Sequence, residues 1–179
     1  MRSRKPKRPP TAWLLLGYTL QLTACSSDGD SGPVTNPSFD AWCGGVPCGW
    51  DLDQGSVERT GTWHTKDYGI SFLETGTQIS QTQPLDEVEC LRFEMIADVA
   101  TEARVVLWLD FDTDGTVDRE QAVPAVRWEN VPFVIAVPQG SGSVRYMLRK
   151  QGQGRAVVAQ LTVQKNACSA DAPSSENSE

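Results

Sequence analysis

The sequence predicts an all-β domain of the sandwich or barrel class. Three observations predict it. Thr, Val, Ile and aromatic residues recur in short runs, and Gly, Pro and Asp break those runs at even spacing. No stretch sustains a helical apolar period between caps. Many short strands at this spacing need a second sheet, or closure into a barrel, to bury their apolar faces.

The strands follow in order. Leu91 to Ala97 alternates apolar and polar residues before the pattern blurs. Arg104 to Phe111 is the densest run, with Val105, Val106, Leu107, Trp108, Leu109 and Phe111. Phe133 to Val137 is a third. Ser143 to Arg149 alternates with period two, the spacing that puts every second side chain on one sheet face. Ala156 to Lys165 supplies the last strand, with Val157, Val158, Leu161 and Val163.

Residues 1–24 stand apart from this domain. Arg2, Arg4, Lys5, Lys7 and Arg8 form a basic start, and an apolar stretch of about a dozen residues follows, from Ala12 to Leu20. That is too short for an ordinary membrane-spanning helix. It ends in Leu22-Thr23-Ala24-Cys25, which resembles the lipobox of bacterial lipoproteins. The resemblance implies cleavage before Cys25, a diacylglycerol on its sulfur and an acyl chain on its nitrogen. Several buried chains, at about 0.8 kcal/mol per methylene, make a firm membrane anchor. Ser26 follows the cysteine where Asp tends to retain such proteins in the inner membrane, so the resemblance favours the outer membrane of the cell envelope. Residues 25–35 then read as the lipidated Cys and a flexible Ser-, Asp- and Gly-rich stalk. Residues 36–168 are the single domain, and residues 169–179 are a polar acidic tail with little to bury.

Without the five cations of the leader, 11 Lys and Arg stand against 23 Asp and Glu, a net charge of −12. Nucleic acid is excluded as a partner by that balance. A neutral ligand or a cation fits it better, and the sequence specifies no protein partner. Four cysteines remain beyond Cys25: Cys43, Cys48, Cys90 and Cys168. An exported chain with an even number predicts two disulfides. Three pairings are open. Cys43–Cys48 with Cys90–Cys168 is the favoured one, because it pins a short Gly-Gly-Val-Pro loop and ties the last strand to the middle of the domain. A paired CxxC pattern is missing and His64 is the one histidine, which speaks against zinc.

Asn36-Pro37-Ser38-Phe39-Asp40, followed by Pro47-Cys48-Gly49-Trp50, resembles the opening of jelly-roll modules related to carbohydrate-binding-module families 4, 9 and 22. Ile79-Ser80-Gln81-Thr82 is similar to their Gln-containing strand, Leu91 to Ala97 to the long strand after it, and Trp128 with Phe133 and Pro138 to a later segment. The resemblance implies a jelly-roll β-sandwich of the galactose-binding-like kind, and a glycan as ligand. Ala159-Gln160 stands where those families commonly carry Ile-Asp, so no ligand or metal role is inherited at that point. The chemistry of Phe39 and Trp50, large apolar side chains beside turns, suits packing at one end of the core. Gly49 permits the tight backbone before Trp50.

Sugar recognition needs flat aromatic rings with amides and charged groups beside them. The candidates are Trp63, Tyr68, Trp108 and Tyr146, with Trp128 as a further aromatic and Gln78, Gln81 and Arg145 as polar partners. Trp63 lies between polar residues and is the best expectation for exposure. Asp110-Phe111-Asp112-Thr113-Asp114-Gly115-Thr116-Val117-Asp118 is similar to a calcium loop, with Asp110, Asp112, Asp114 and Asp118 as oxygen donors to a structural calcium. Position twelve is Gln121 rather than Glu, and the flanks read as strands, so an EF-hand is not expected. Asp114-Gly115 is equally a hairpin signal. Catalysis finds no support: there is one histidine, no Gly-x-Ser-x-Gly elbow, and no paired carboxylates in the strand motif of jelly-roll glucanases. The expectation is a non-catalytic, membrane-anchored surface lipoprotein whose domain binds a glycan. The alternative is a structural or protein-interaction domain without a sugar site.

Overall fold

The computed structural model describes residues 34–62 and 68–168. Twelve strands run in chain order: β1 (Trp42–Cys43), β2 (Val46–Pro47), β3 (Asp51–Gln54), β4 (Val57–Gly61), β5 (Tyr68–Phe72), β6 (Gln78–Pro84), β7 (Cys90–Val99), β8 (Ala103–Phe111), β9 (Arg119–Val123), β10 (Val126–Ala136), β11 (Ser143–Gly152) and β12 (Ala156–Lys165). The two short ones form a hairpin. The rest form two five-stranded sheets, ordered β10-β7-β12-β5-β4 and β3-β6-β11-β8-β9, with every pairing antiparallel. The third expected strand begins earlier than Phe133, at Val126, because it pairs along the full length of β7.

Alternation explains the core. β7 buries every second residue, so Leu91, Phe93, Met95, Ala97 and Val99 face the other sheet. Leu107 and Leu109 from β8, Tyr146 and Leu148 from β11, and Val158 and Leu161 from β12 meet them. Each large side chain removed from water contributes about 1.5–3 kcal/mol before entropy is subtracted. Phe93 stacks on Phe133 at 5.0 Å and meets Tyr146 edge-on at 5.8 Å.

The opening segment closes one end of the sandwich. Phe39 is fully buried and Trp50 is 3% exposed, their rings 5.5 Å apart. The Trp50 indole N–H donates to the Thr35 carbonyl at 3.1 Å. Gln81 is buried there too. Its side-chain oxygen accepts from the Thr35 N–H at 2.8 Å, and its amide nitrogen donates to the Gly49 carbonyl at 2.7 Å. Gln81 is therefore a staple of the fold rather than a polar partner for a ligand. Gly49 adopts φ +80°, and a Cβ there would come within 2.8 Å of the Thr35 methyl.

Both disulfides take the favoured pairing, Cys43–Cys48 and Cys90–Cys168. The first closes the β1–β2 hairpin. The second joins the start of β7 to the segment after β12.

Candidate functional site

The outward face of the β3-β6-β11-β8-β9 sheet gathers the side chains best suited to hold a ligand. Period-two geometry decides which residues share it. Leu107 and Leu109 point inward from β8, so Arg104, Val106, Trp108 and Asp110 point outward. On β11 Tyr146 and Leu148 point inward, leaving Arg145, Met147 and Arg149 outward. Register then aligns them. Met147 pairs with Trp108 and with Ser80, and Trp108 pairs with Glu120. The row across β6, β11, β8 and β9 thus reads Ser80, Met147, Trp108, Glu120, and Asp51 of β3 pairs with Ser80 at its edge.

Trp108 sits near the middle of this row, half-buried. Its indole N–H donates to Glu120 Oε2 at 3.0 Å, and the Arg149 guanidinium lies 4.9 Å from its ring centroid. These two contacts fix the ring on both flanks. Met147, 6% exposed, and Val106 fill the sheet surface beside it. At the β3 edge, Asp53 organises the polar groups. It accepts from Gln78 Nε2 at 2.9 Å, from the Ser80 hydroxyl at 3.1 Å and from Arg145 Nη2 at 2.7 Å. Arg145 also donates to Ser80 Oγ at 2.9 Å. The result is an aromatic ring on an apolar bed, bordered by an amide, a hydroxyl, two guanidinium groups and two carboxylates. Such a surface can stack against a flat apolar ring and bond to hydroxyls around it.

Of the four aromatics expected to meet a ligand, Trp108 is on this face. Tyr146 is not. It is fully buried and belongs to the core, because Tyr146 and Met147 alternate and the larger ring fills the space beside Phe93. Its hydroxyl has no hydrogen-bond partner, and burial pushes the phenol well above its ordinary ionisation range. Tyr68 is exposed, but it starts β5 in the opposite sheet, with the Arg59 guanidinium 3.4 Å from its ring centroid. Trp63 and Cys25 lie outside the described residues. Asp53, Met147, Arg149 and Glu120 were not anticipated. The alternation Arg145, Met147, Arg149 was a usable signal for two of them.

In the acidic loop between β8 and β9, Asp110, Asp114 and Asp118 bond to nearby backbone of the same segment, and Asp112 bonds to the loop before β11. Asp110, 1% exposed, accepts from the N–H groups of Asp114 and Gly115 at 3.1 and 3.0 Å. Asp118 accepts from the Phe111 N–H at 2.7 Å, Asp114 from the Thr116 N–H at 2.7 Å, and Asp112 from the Gly142 N–H at 2.8 Å. Among the described residues no group of three or more His, Cys, Asp or Glu side chains is placed to hold a metal ion. Three of the four aspartates expected to meet calcium brace this turn by carboxylate-to-amide bonds, and Asp112 ties it to Gly142.

No protein-family model matches the sequence, and no curated protein matches it. Solved structures do. A structure of TmCBM61 in complex with β-1,4-galactotriose superposes with a TM-score of 0.58 at 16% identity, covering 76% of this chain and 100% of that one. A structure described as "CBM4 structure and function" gives 0.53 at 15% identity, over 74% and 99%. The fold is a jelly-roll β-sandwich. The CBM22-1 xylan-binding domain of Xyn10C from Paenibacillus barcinonensis shares this jelly roll, with a TM-score of 0.51 at 13% identity, over 72% of this chain and 90% of that domain. At these identities the likeness is one of fold.

Proposed function

We propose that this jelly roll is a non-catalytic glycan-binding domain, held at the cell surface by lipid on Cys25. The observation that carries the binding role is Trp108, a partly exposed ring fixed by Glu120 and Arg149 and bordered by Asp53, Gln78, Ser80 and Arg145. The solved domains of the same fold support it, since one holds β-1,4-galactotriose and another is named a xylan-binding domain. Stacking on Trp108 supplies the apolar contact, and the surrounding donors and acceptors orient sugar hydroxyls. The expectation of a non-catalytic role rests on the sequence, where the acid-base arrangements of hydrolases are missing.

The test uses the full chain in mild detergent, titrated with soluble polysaccharides while tryptophan emission is followed. Saturable binding, weakened about ten-fold or more in Trp108→Ala with the melting temperature retained, supports the reading. Binding that survives Trp108→Ala places the ligand elsewhere. A folded chain that binds no polysaccharide favours the protein-interaction alternative. The anchor is tested separately: cells expressing the chain should incorporate labelled palmitate, and the Cys25→Ala variant should not.

A further inference from the structure

The Trp108 face is unevenly charged along its strands. At one end Arg145 is neutralised by Asp53 at 2.7 Å, and the Asp110 carboxylate is turned onto the amides of its own loop. At the other end stand Arg149 and Arg104. Neither forms an ion pair among the described residues. Arg149 has one long hydrogen bond, 3.4 Å to Gln78 Oε1, and its guanidinium rests against the Trp108 ring. Arg149 pairs in register with Val106, and Arg104 lies two residues further along β8 on the same face. Diagonal neighbours of this kind sit about 7–8 Å apart, within reach of long side chains. Val106 and Ala122, the outward residues beside them, carry no charge. Glu120 is on the β9 flank of the ring, opposite the β11 flank where Arg149 lies, and is bonded to the indole N–H.

The whole chain is acidic, with a net charge of −7. One unneutralised arginine against the Trp108 ring and a second further along β8 therefore run against this background charge. An arginine presents a planar fork of donors that matches a carboxylate with two parallel bonds. We infer that the glycan bound at this face is anionic, a polymer of uronic acids, with a sugar ring seated on Trp108 and its carboxylate at Arg149. Arg104 receives the carboxylate of a neighbouring sugar. This inference rests on the glycan-binding reading of the same face.

The experiment compares five ligands with the full chain in detergent, by calorimetry: polygalacturonate, alginate, methyl-esterified polygalacturonate, neutral β-1,4-galactan and dextran sulfate. The expected result is binding to one of the two polyuronates about ten-fold or more tighter than to the methyl ester or the galactan. That affinity falls as salt rises. Arg149→Gln and Arg104→Gln each weaken it several-fold, while melting temperatures stay close to that of the parent chain. Two results overturn the inference and leave the glycan reading standing. One is tighter binding to a neutral polymer, lost in Trp108→Ala and unaffected by Arg149→Gln. The other is dextran sulfate binding as well as the polyuronates, which shows general attraction to anions. A folded chain that binds none of the five overturns the inference together with the reading beneath it.

Discussion

At the scale of single residues, neighbours in sequence take opposite roles. Tyr146 and Met147 alternate, and the one with the hydroxyl goes inside. Its phenol lies among Phe93 and the aliphatic core without a hydrogen-bond partner. Removing an unsatisfied buried hydroxyl costs little, so Tyr146→Phe is expected to be neutral or to stabilise by up to about 1–2 kcal/mol in urea denaturation. Burial raises the folded-state ionisation range of this phenol above its ordinary value near 10. The stability it contributes is complete below the unfolded value and is lost as pH rises beyond it. Tyr146→Phe should therefore flatten the fall in stability above about pH 10, read by denaturation at a series of pH values. Gly49 is the opposite case. Its φ of +80° and its approach to Thr35 leave no room for a Cβ. Gly49→Ala is expected to lower stability by about 1 kcal/mol or more, visible as a lower melting temperature.

At the scale of elements, legibility followed burial. The runs that became β7, β8, β11 and β12 were plain in the sequence because each has an inward side that must be apolar. β3 was not, since Asp51 to Gln54 are all exposed and give no alternation to read. β4 and β9 are short and largely exposed for the same reason. The site was half legible. Period two showed that Arg145, Met147 and Arg149 share a side, but nothing local says which side faces water. The Arg104–Phe111 run hid Trp108, because Val106 on the outward side is buried as well. The Asp110 loop shows how one pattern serves two structures. Alternating carboxylates suit a cation, and here they bond to amides in a turn where Asp112 and Thr113 take left-handed conformations, at φ 65° and 57°. Asp110→Ala should cost about 1.5–3 kcal/mol in denaturant, and exchanging calcium for chelator should leave the melting temperature of the parent chain unchanged. A rise with calcium would support the metal-loop reading instead. The four sheet edges share a defensive design. β3, β4 and β9 are short, and β10, the long one, carries Pro132 and a register shift around Trp128, whose φ is +54°. Both features hinder another strand from pairing there.

At the scale of the whole molecule, the Cys90–Cys168 bridge spans 78 residues of chain. Chain entropy alone makes such a bridge worth about 4 kcal/mol. The Cys90→Ser, Cys168→Ser double variant should lose stability of that order in denaturant, whereas opening the five-residue Cys43–Cys48 loop should cost less. The sandwich also ties distant segments together at the Trp108 face, where β3, β6, β8, β9 and β11 each contribute a side chain. The strand order has one more consequence. β12, the last of the described strands, lies between β7 and β5 in the interior of its sheet. A ribosome delivers the chain in sequence order, so the sheet has a gap at its centre until β12 (Ala156–Lys165) has arrived. The domain is assembled like an arch with its keystone placed last. The local Cys43–Cys48 loop can close early, but Cys90 must wait for a partner that arrives behind the keystone. A chain stopped before residue 156 should remain unfolded however well its earlier strands pair.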